Sequence, residues 1–443
     1  MAPEVSQRTC LGRQDTELTA ESAVEAIPQT ITNTQGKCNY DLMRSWLYEC
    51  QHEHSRCSRQ APALPKRVVD VGIAPHFDGL KLLVPQTRTI AEYVTHSTVW
   101  GGKSKSLLTT KTLAAFQQAI EYHTLPATFR DAVTVTRQLG IKYLWIDCLC
   151  VLQDSKADWE DEAQNMSSRY RTSTLTISIL SSSSADHAFL ASASLDYTAI
   201  PLLTAQEIEA PMFVSLASRA ELDWRWYYAE CVLNSRWWAL QESVLAPRQI
   251  IFGQKQVYWR CLEQPLRLST GEMVSEWGED WIGIDRYVMP IIHDWNHKVP
   301  MSDLISAYLY LVEIYCACDL TDPSDKLSAF SGLIVKVFSV IGSDHVVGVW
   351  GKAIRPCLAW STLNEEESLD PQTLRPYLAP TWSWASTNTP VAFDKPTTHR
   401  QVEDDLPGGL ILLRTHSRPK TLAIHLVRSS MLKSRSKLGV RIS

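Results

Sequence analysis

The sequence predicts an α/β fold, with a mainly parallel sheet flanked by helices, on three observations. Short runs rich in apolar and β-branched residues (EYVTHSTVW, KYLWIDCLCVL, TLTISIL) alternate with segments whose apolar positions recur at helical spacing. The run around 143–152 is nearly continuous in apolar residues, as a strand buried on both faces requires. Segments long enough for crossover helices stand between the runs, which argues for βαβ units.

Taken in order, residues 1–37 are polar and aperiodic and are expected to form a disordered tail. Residues 38–88 carry an amphipathic helix with Leu42, Trp46, Leu47 and Cys50 on one face, followed after Pro65 by a strand in RVVDVG. The α/β unit is placed at 89–252. EYVTHSTVWGG is a strand ending in a Gly pair. Residues 128–139 then form a helix with Phe129, Ala132, Val133, Thr136 and Leu139 on one face, and Gly140 ends it. KYLWIDCLCVL is a buried strand, 158–170 a helix and TLTISIL a strand. Past SSSSADHA the chain reads as β-rich from Phe213 to Tyr228, an inserted β-hairpin region. Asn234 or Ser235 can cap the helix RWWALQESVL, which Pro247 stops, and RQIIFG with QVYWRC forms a hairpin. Residues 253–400 are set apart as a C-terminal region, whose composition becomes helical from about Thr270 onward, clearest in LISAYLYLVEIYCAC and KLSAFSGLIVKVF. The basic stretch 401–443 is expected to be a disordered tail.

The composition narrows the class. The 443 residues are 45% hydrophobic and 21% charged, with a formal net charge of -5, so the chain lacks the basic field that nucleic acid binding calls for. No run of about 18 uncharged apolar residues is present to span a membrane, and MAPEVSQRTCLGRQDTEL has no apolar signal core. A soluble, cytoplasmic protein is expected. Eleven cysteines, an odd number mostly within apolar runs, point to reduced thiols. The 16 tryptophans are unusual, because each indole N–H needs a partner when buried.

Three stretches resemble the fungal heterokaryon incompatibility (HET) domain family. The first, EYVTHSTVWGG, supplies Tyr93, Ser97, Trp100 and Gly101, although Thr98 and His96 depart from the family's usual residues. LGIKYLWIDCLCVLQDSKADWEDEAQNMSSRYRTSTLTIS is nearly gapless and supplies Trp145, Asp147, Cys150, Gln153, Trp159, Glu162, Met166 and Tyr170. NSRWWALQESVLAPRQIIF supplies Arg236, Trp238, Gln241, Glu242 and Arg248. The resemblance makes 89–252 the HET domain and 253–400 a HET-associated region. It implies a role in self/non-self recognition and programmed cell death, with other recognition proteins or further copies of the chain as partners. HET domains are distantly similar to Toll-interleukin receptor (TIR) domains, some of which cleave NAD with a helix-borne Glu a few residues after a Trp. That similarity implies NAD as a substrate, with no resident cofactor required.

On the helix near Asp158, Trp159, Ala163, Met166 and Tyr170 fall within about 40° of one another and predict a buried stripe. Glu162 lies beside it, and is the carboxylate expected to be desolvated and catalytic; the alternative is a packing carboxylate paired to an Arg such as Arg236. Asp147 is expected near the carboxyl end of a buried strand, where open parallel sheets place ligands, or else as a structural acid. Trp100, Gly101, Gly102, Asp147 and Trp159 are the candidate cofactor-binding residues, with a plain turn as the other reading of the Gly pair. Cys148 and Cys150 read as inert core. Cys38, Cys50, His54 and Cys57 could form a zinc site, but no CxxC pair is present and no metal is expected. Gln241 and Glu242 are expected to hold their helix against the sheet, and Arg248 to pair an acid.

Overall fold

The computed structural model describes most of residues 40–393 together with 410–416 and 422–428; the longer intervals outside the described residues are 191–196, 204–208, 216–230, 270–288, 290–299, 319–325, 331–340 and 364–377. The tail 1–37, Cys38, Gly102, Asn234 and Ser235 therefore lie outside them, as does most of Phe213–Tyr228.

An eight-stranded sheet organises the chain. Its strands are β1 (Val68–Asp70), β2 (Lys81–Leu83), β3 (Tyr93–Ser97), β4 (Tyr143–Trp145), β5 (Leu175–Ile179), β8 (Arg248–Phe252), β9 (Val257–Cys261) and β10 (Arg267–Leu268), in the order β10-β9-β8-β5-β3-β4-β1-β2. The intervening β6 (Tyr197–Leu203) and β7 (Glu209–Ser215) form a separate antiparallel pair, the inserted hairpin. The centre, β4-β3-β5-β8, is parallel. Both edges are antiparallel, β1 and β2 on one side and β9 and β10 on the other. The expectation of a mainly parallel sheet is corrected to a mixed one. Local patterning shows that a strand is buried, but not which way its neighbour runs.

The described α-helices are α1 (Tyr40–His52), α2 (Leu113–Gln118), α3 (Ala127–Gln138), α4 (Asp147–Cys150), α5 (Lys156–Thr172), α6 (Trp237–Leu245), α7 (Met301–Cys316) and α8 (Ile354–Leu358). Because side chains alternate across a strand, β3 shows which helix covers which face. His96 meets Phe129 of α3 edge-on, with ring centroids 5.6 Å apart. On the other face the Tyr93 hydroxyl donates to the Arg169 carbonyl of α5 at 2.6 Å. Buried on both sides, β3 and β5 carry no exposed residue. Gly140 follows the end of α3 at φ +75°, the left-handed position that glycine fills without cost.

The stripe expected on α5 is displaced. Asp158, Glu162, Ser167 and Tyr170 are its buried residues, whereas Trp159 is 41% exposed. The first turn is set by Asp158, which accepts from Leu152 N at 2.9 Å, from Lys66 Nζ at 2.8 Å and from the buried guanidinium of Arg67. Burial alone would raise the Asp158 pKa, but these donors hold it below its ordinary value. The Ser155 side chain caps the same turn.

The region after about Thr270 was expected to be helical, and its described residues combine α7 with small antiparallel strand pairs. Tyr308, Tyr315, Phe330 and Trp384 pack ring against ring, and the Lys326 ammonium lies 5.4 Å from the Trp384 ring. Within the basic tail, expected to be disordered, Leu410–His416 pairs with Leu422–Arg428; both segments are rich in Leu, Ile and Val, which favour strands. Among the described residues no helix is long and apolar enough to cross a membrane.

Candidate functional site

Ligands in open α/β sheets bind beyond the carboxyl ends of parallel strands, and the residues of all three sequence motifs converge there. Ser97 ends β3, Trp100 lies three residues on, and Asp147 begins α4 just after β4. Tyr170 comes from α5; Arg236 caps α6, which carries Glu242.

Glu242 is 8% exposed and accepts hydrogen bonds from the Ser97 and Tyr170 hydroxyls. Burial pushes its carboxyl up to about 7; the Ser97 bond opposes this, the nearby Asp147 charge adds to it, and Arg236 and Tyr170 oppose it. Asp147 accepts from Cys148 N at 2.7 Å and from the Trp100 indole. Burial pushes Asp147 up to about 6, against the pull of the Cys148 N–H, Arg236 and Trp100. Arg236 is the nearby cation, and its Nη1 donates to the Thr98 carbonyl at 3.1 Å. Two carboxyl groups of raised pKa thus face one guanidinium, a pattern typical of acid/base sites.

The walls are rigid. Trp145 stacks edge-on against Tyr170 at 5.7 Å, and the Tyr170 hydroxyl also reaches the His96 carbonyl at 3.1 Å. Gly101 has φ +70°, and a Cβ there would stand 2.5 Å from Ser184 Cβ, so the turn after Trp100 admits only glycine without a shift. A small cavity of about 10 Å³, room for a single water, lies beside Ser97 and is lined by Ser178, Ser243 and Gln249 among others. Among buried polar atoms without a partner are Thr98 Oγ1, Gln241 Oε1 and both ring nitrogens of His96, whose ring stands on the opposite face of β3 from Ser97. Burial lowers the His96 pKa to about 3, so the ring is neutral.

Glu162, the expected catalytic carboxylate, is desolvated at 4% exposure, yet its oxygens are held by Arg169 Nε at 3.1 Å and Nη2 at 3.3 Å. Its partner is thus one helical turn pair away on α5, and Arg236 instead joins Asp147 and Glu242. Trp159 is exposed, so it is not brought into the cluster. Arg248 places its Nε 3.1 Å from Cys50 Sγ, and its Nη1 donates to the Thr174 carbonyl at 3.2 Å. Cys148 and Cys150 are fully buried, and burial pushes Cys150 up to about 12, which suits inert core. Gln153 braces the loop through its N–H to the Leu108 carbonyl, while Met166 and Trp238 pack partly buried against the core. Cys50, His54 and Cys57 come together at the far edge of the sheet, joined by Cys261.

Sequence reasoning singled out Asp147, Arg236 and Glu242 separately but missed their meeting, and it missed Arg67, whose position before a strand carries no local signal.

No curated protein and no solved structure matches the chain. A family model does, described as "Heterokaryon incompatibility protein (HET)", over residues 93–242. Those limits run from the first residue of β3 to Glu242 and enclose every member of the carboxylate cluster. Over residues 93–242, about a third of its length, the chain is thus similar to the heterokaryon incompatibility (HET) family.

Proposed function

We propose that the protein acts in heterokaryon incompatibility as a cytoplasmic effector that promotes programmed cell death when self/non-self recognition fails, and that its HET domain cleaves the nicotinamide glycosidic bond of NAD at Asp147 and Glu242. The observation that carries this reading is the convergence of two desolvated carboxyl groups and Arg236 at the carboxyl ends of the parallel strands. Nicotinamide leaves as a neutral ring, taking the electron pair of the C–N bond, so no acid is needed to protonate it. What the transition state needs is negative charge beside an oxocarbenium-like ribose. An ionised Glu242 supplies that charge, Asp147 accepts the proton of the attacking water, and Arg236 suits a diphosphate.

Glu162, tied to Arg169, then serves as a positioning residue for α5 and not as the reacting group. The test is NAD loss by the purified full-length chain, comparing wild type, Glu242→Gln and Glu162→Gln, with circular dichroism to verify folding. The expected result is a loss of roughly 100-fold or more in Glu242→Gln, the scale of removing one electrostatic stabiliser, with Glu162→Gln changed several-fold at most. The reverse pattern would return the chemistry to Glu162.

A non-catalytic interaction module is the second reading, and the exposed Trp159 favours it, since exposed Trp residues often anchor protein contacts. Absence of NAD cleavage by folded, oligomerised wild type would select it. Other recognition proteins or further copies of the chain would then be the partners.

A further inference from the structure

We propose that Cys50, His54, Cys57 and Cys261 bind one structural zinc ion that clamps α1 to the antiparallel edge of the sheet. Their ligand atoms all lie within 4.8 Å of one another and all four residues are buried. The His54 Nδ1 is 3.4 Å from Cys261 Sγ and 3.9 Å from Cys57 Sγ. Tetrahedral zinc with bonds of about 2.3 Å to sulfur and 2.0 Å to nitrogen sets its ligands roughly 3.5–3.8 Å apart, so the cage needs only a slight contraction. Three thiols and one imidazole form a closed set of four with no place for a substrate, the composition of a structural site.

The surroundings are those of a metal site. The far nitrogen of His54, Nε2, lacks a hydrogen-bond partner but lies 3.7 Å from Glu49 Oε1. A carboxylate behind a metal-bound imidazole fixes the ring and its tautomer. Glu49 is itself held by both terminal nitrogens of Arg267 at 2.7 Å and by Gln264 Nε2 at 2.8 Å. Arg248 directs its Nε at Cys50 Sγ, offsetting one thiolate charge. The backbone N–H groups of Glu263 and Gln264 point to Cys261 sulfur. The Glu263 carboxylate accepts from Arg56 N at 2.7 Å, so the two ligand-bearing loops are already tied together. The clamp joins one segment before the family match to another after it, since α1 and β9 both lie outside 93–242.

The test is the metal content of the purified full-length chain by plasma mass spectrometry, followed by cobalt exchange and titration with zinc. The expected result is one zinc per chain, and a cobalt spectrum showing tetrahedral coordination with thiolate charge transfer. Cys261→Ser should lose both. Glu49→Gln, which keeps every ligand, should bind zinc about 10–100-fold more weakly, a readout that needs no ligand substitution. A folded wild type that holds no zinc and takes up neither metal with its thiols reduced would overturn the proposal, as would a Cys50–Cys261 disulfide found by peptide mapping.

Discussion

The sheet holds two buried polar clusters that work in opposite senses. At its parallel centre Asp147 and Glu242 are packed together with a single nearby guanidinium, and burial raises both carboxyl groups. At its antiparallel edge three thiols and His54 surround one point, with Arg248 and Glu49 placed to balance them. The first arrangement costs stability at neutral pH, because a charged carboxylate is held where it is poorly solvated. The second holds the chain together. Strain of the first kind persists where function needs it, in keeping with the chemistry proposed for the centre and the support proposed for the edge.

Four substitutions probe that contrast, the largest effect first. Cys261→Ser should destabilise the chain on the order of 3–5 kcal/mol, part of the larger folding energy that a structural zinc site supplies; the same loss in zinc-free protein would remove the metal from the explanation. Denaturant unfolding with and without chelator measures it. Arg67→Ala leaves Asp158 buried with Lys66 as its remaining cation, and the expected cost is about 3 kcal/mol, the low end for a broken buried pair. An unchanged midpoint would show that α5 is anchored elsewhere.

Glu242→Gln should act with the opposite sign. A carboxyl raised from its ordinary value of 4.5 to about 7 binds more protons folded than unfolded. Its contribution is fully present below the unfolded value and is lost as pH rises through about 7. Above that pH the variant should therefore be more stable than wild type by up to roughly 3 kcal/mol, with the difference vanishing below pH 4. Equal stability at every pH would mean that the carboxylate is not strained. If Glu242 is the reacting group, wild-type NAD cleavage should also rise with pH through the same range. Trp159→Ala should be the smallest, within about 0.5 kcal/mol as for an exposed side chain, so any loss of the proposed cell killing it causes reports a partner contact and not folding.

Much of the fold was legible because it is written locally. Strands β3 and β5 announce themselves by apolar runs, α3 by period and Gly140 by its place after the last apolar position, whereas the strand expected over all of KYLWIDCLCVL ends at Trp145 and Asp147–Cys150 turn into a helix. What stayed hidden depends on residues far apart. Trp159 was assigned inward by its spacing, whereas the ion pair of Asp158 with Arg67, 91 residues away, decides how α5 sits. Glu162 was correctly read as desolvated, but its partner Arg169 lies on its own helix, where an Arg from the third motif was anticipated. The antiparallel edges follow from hairpin and crossover geometry that no single segment encodes. At the candidate site each residue was visible as a motif member, and only the fold shows that Asp147, Arg236 and Glu242 share one place.

The thiol cluster also imposes an order on synthesis. Cys261 lies 207 residues beyond His54, so at about 5–20 residues per second the ribosome releases the fourth ligand roughly 10–40 s after the first three. Throughout that interval Cys50, His54 and Cys57 can hold an ion only partially, and the nascent α1 has no edge strand to dock on. The sheet is finished from its last strands, and a chain interrupted before Cys261 would carry the whole HET match yet leave its first helix unfastened, marking it for quality control.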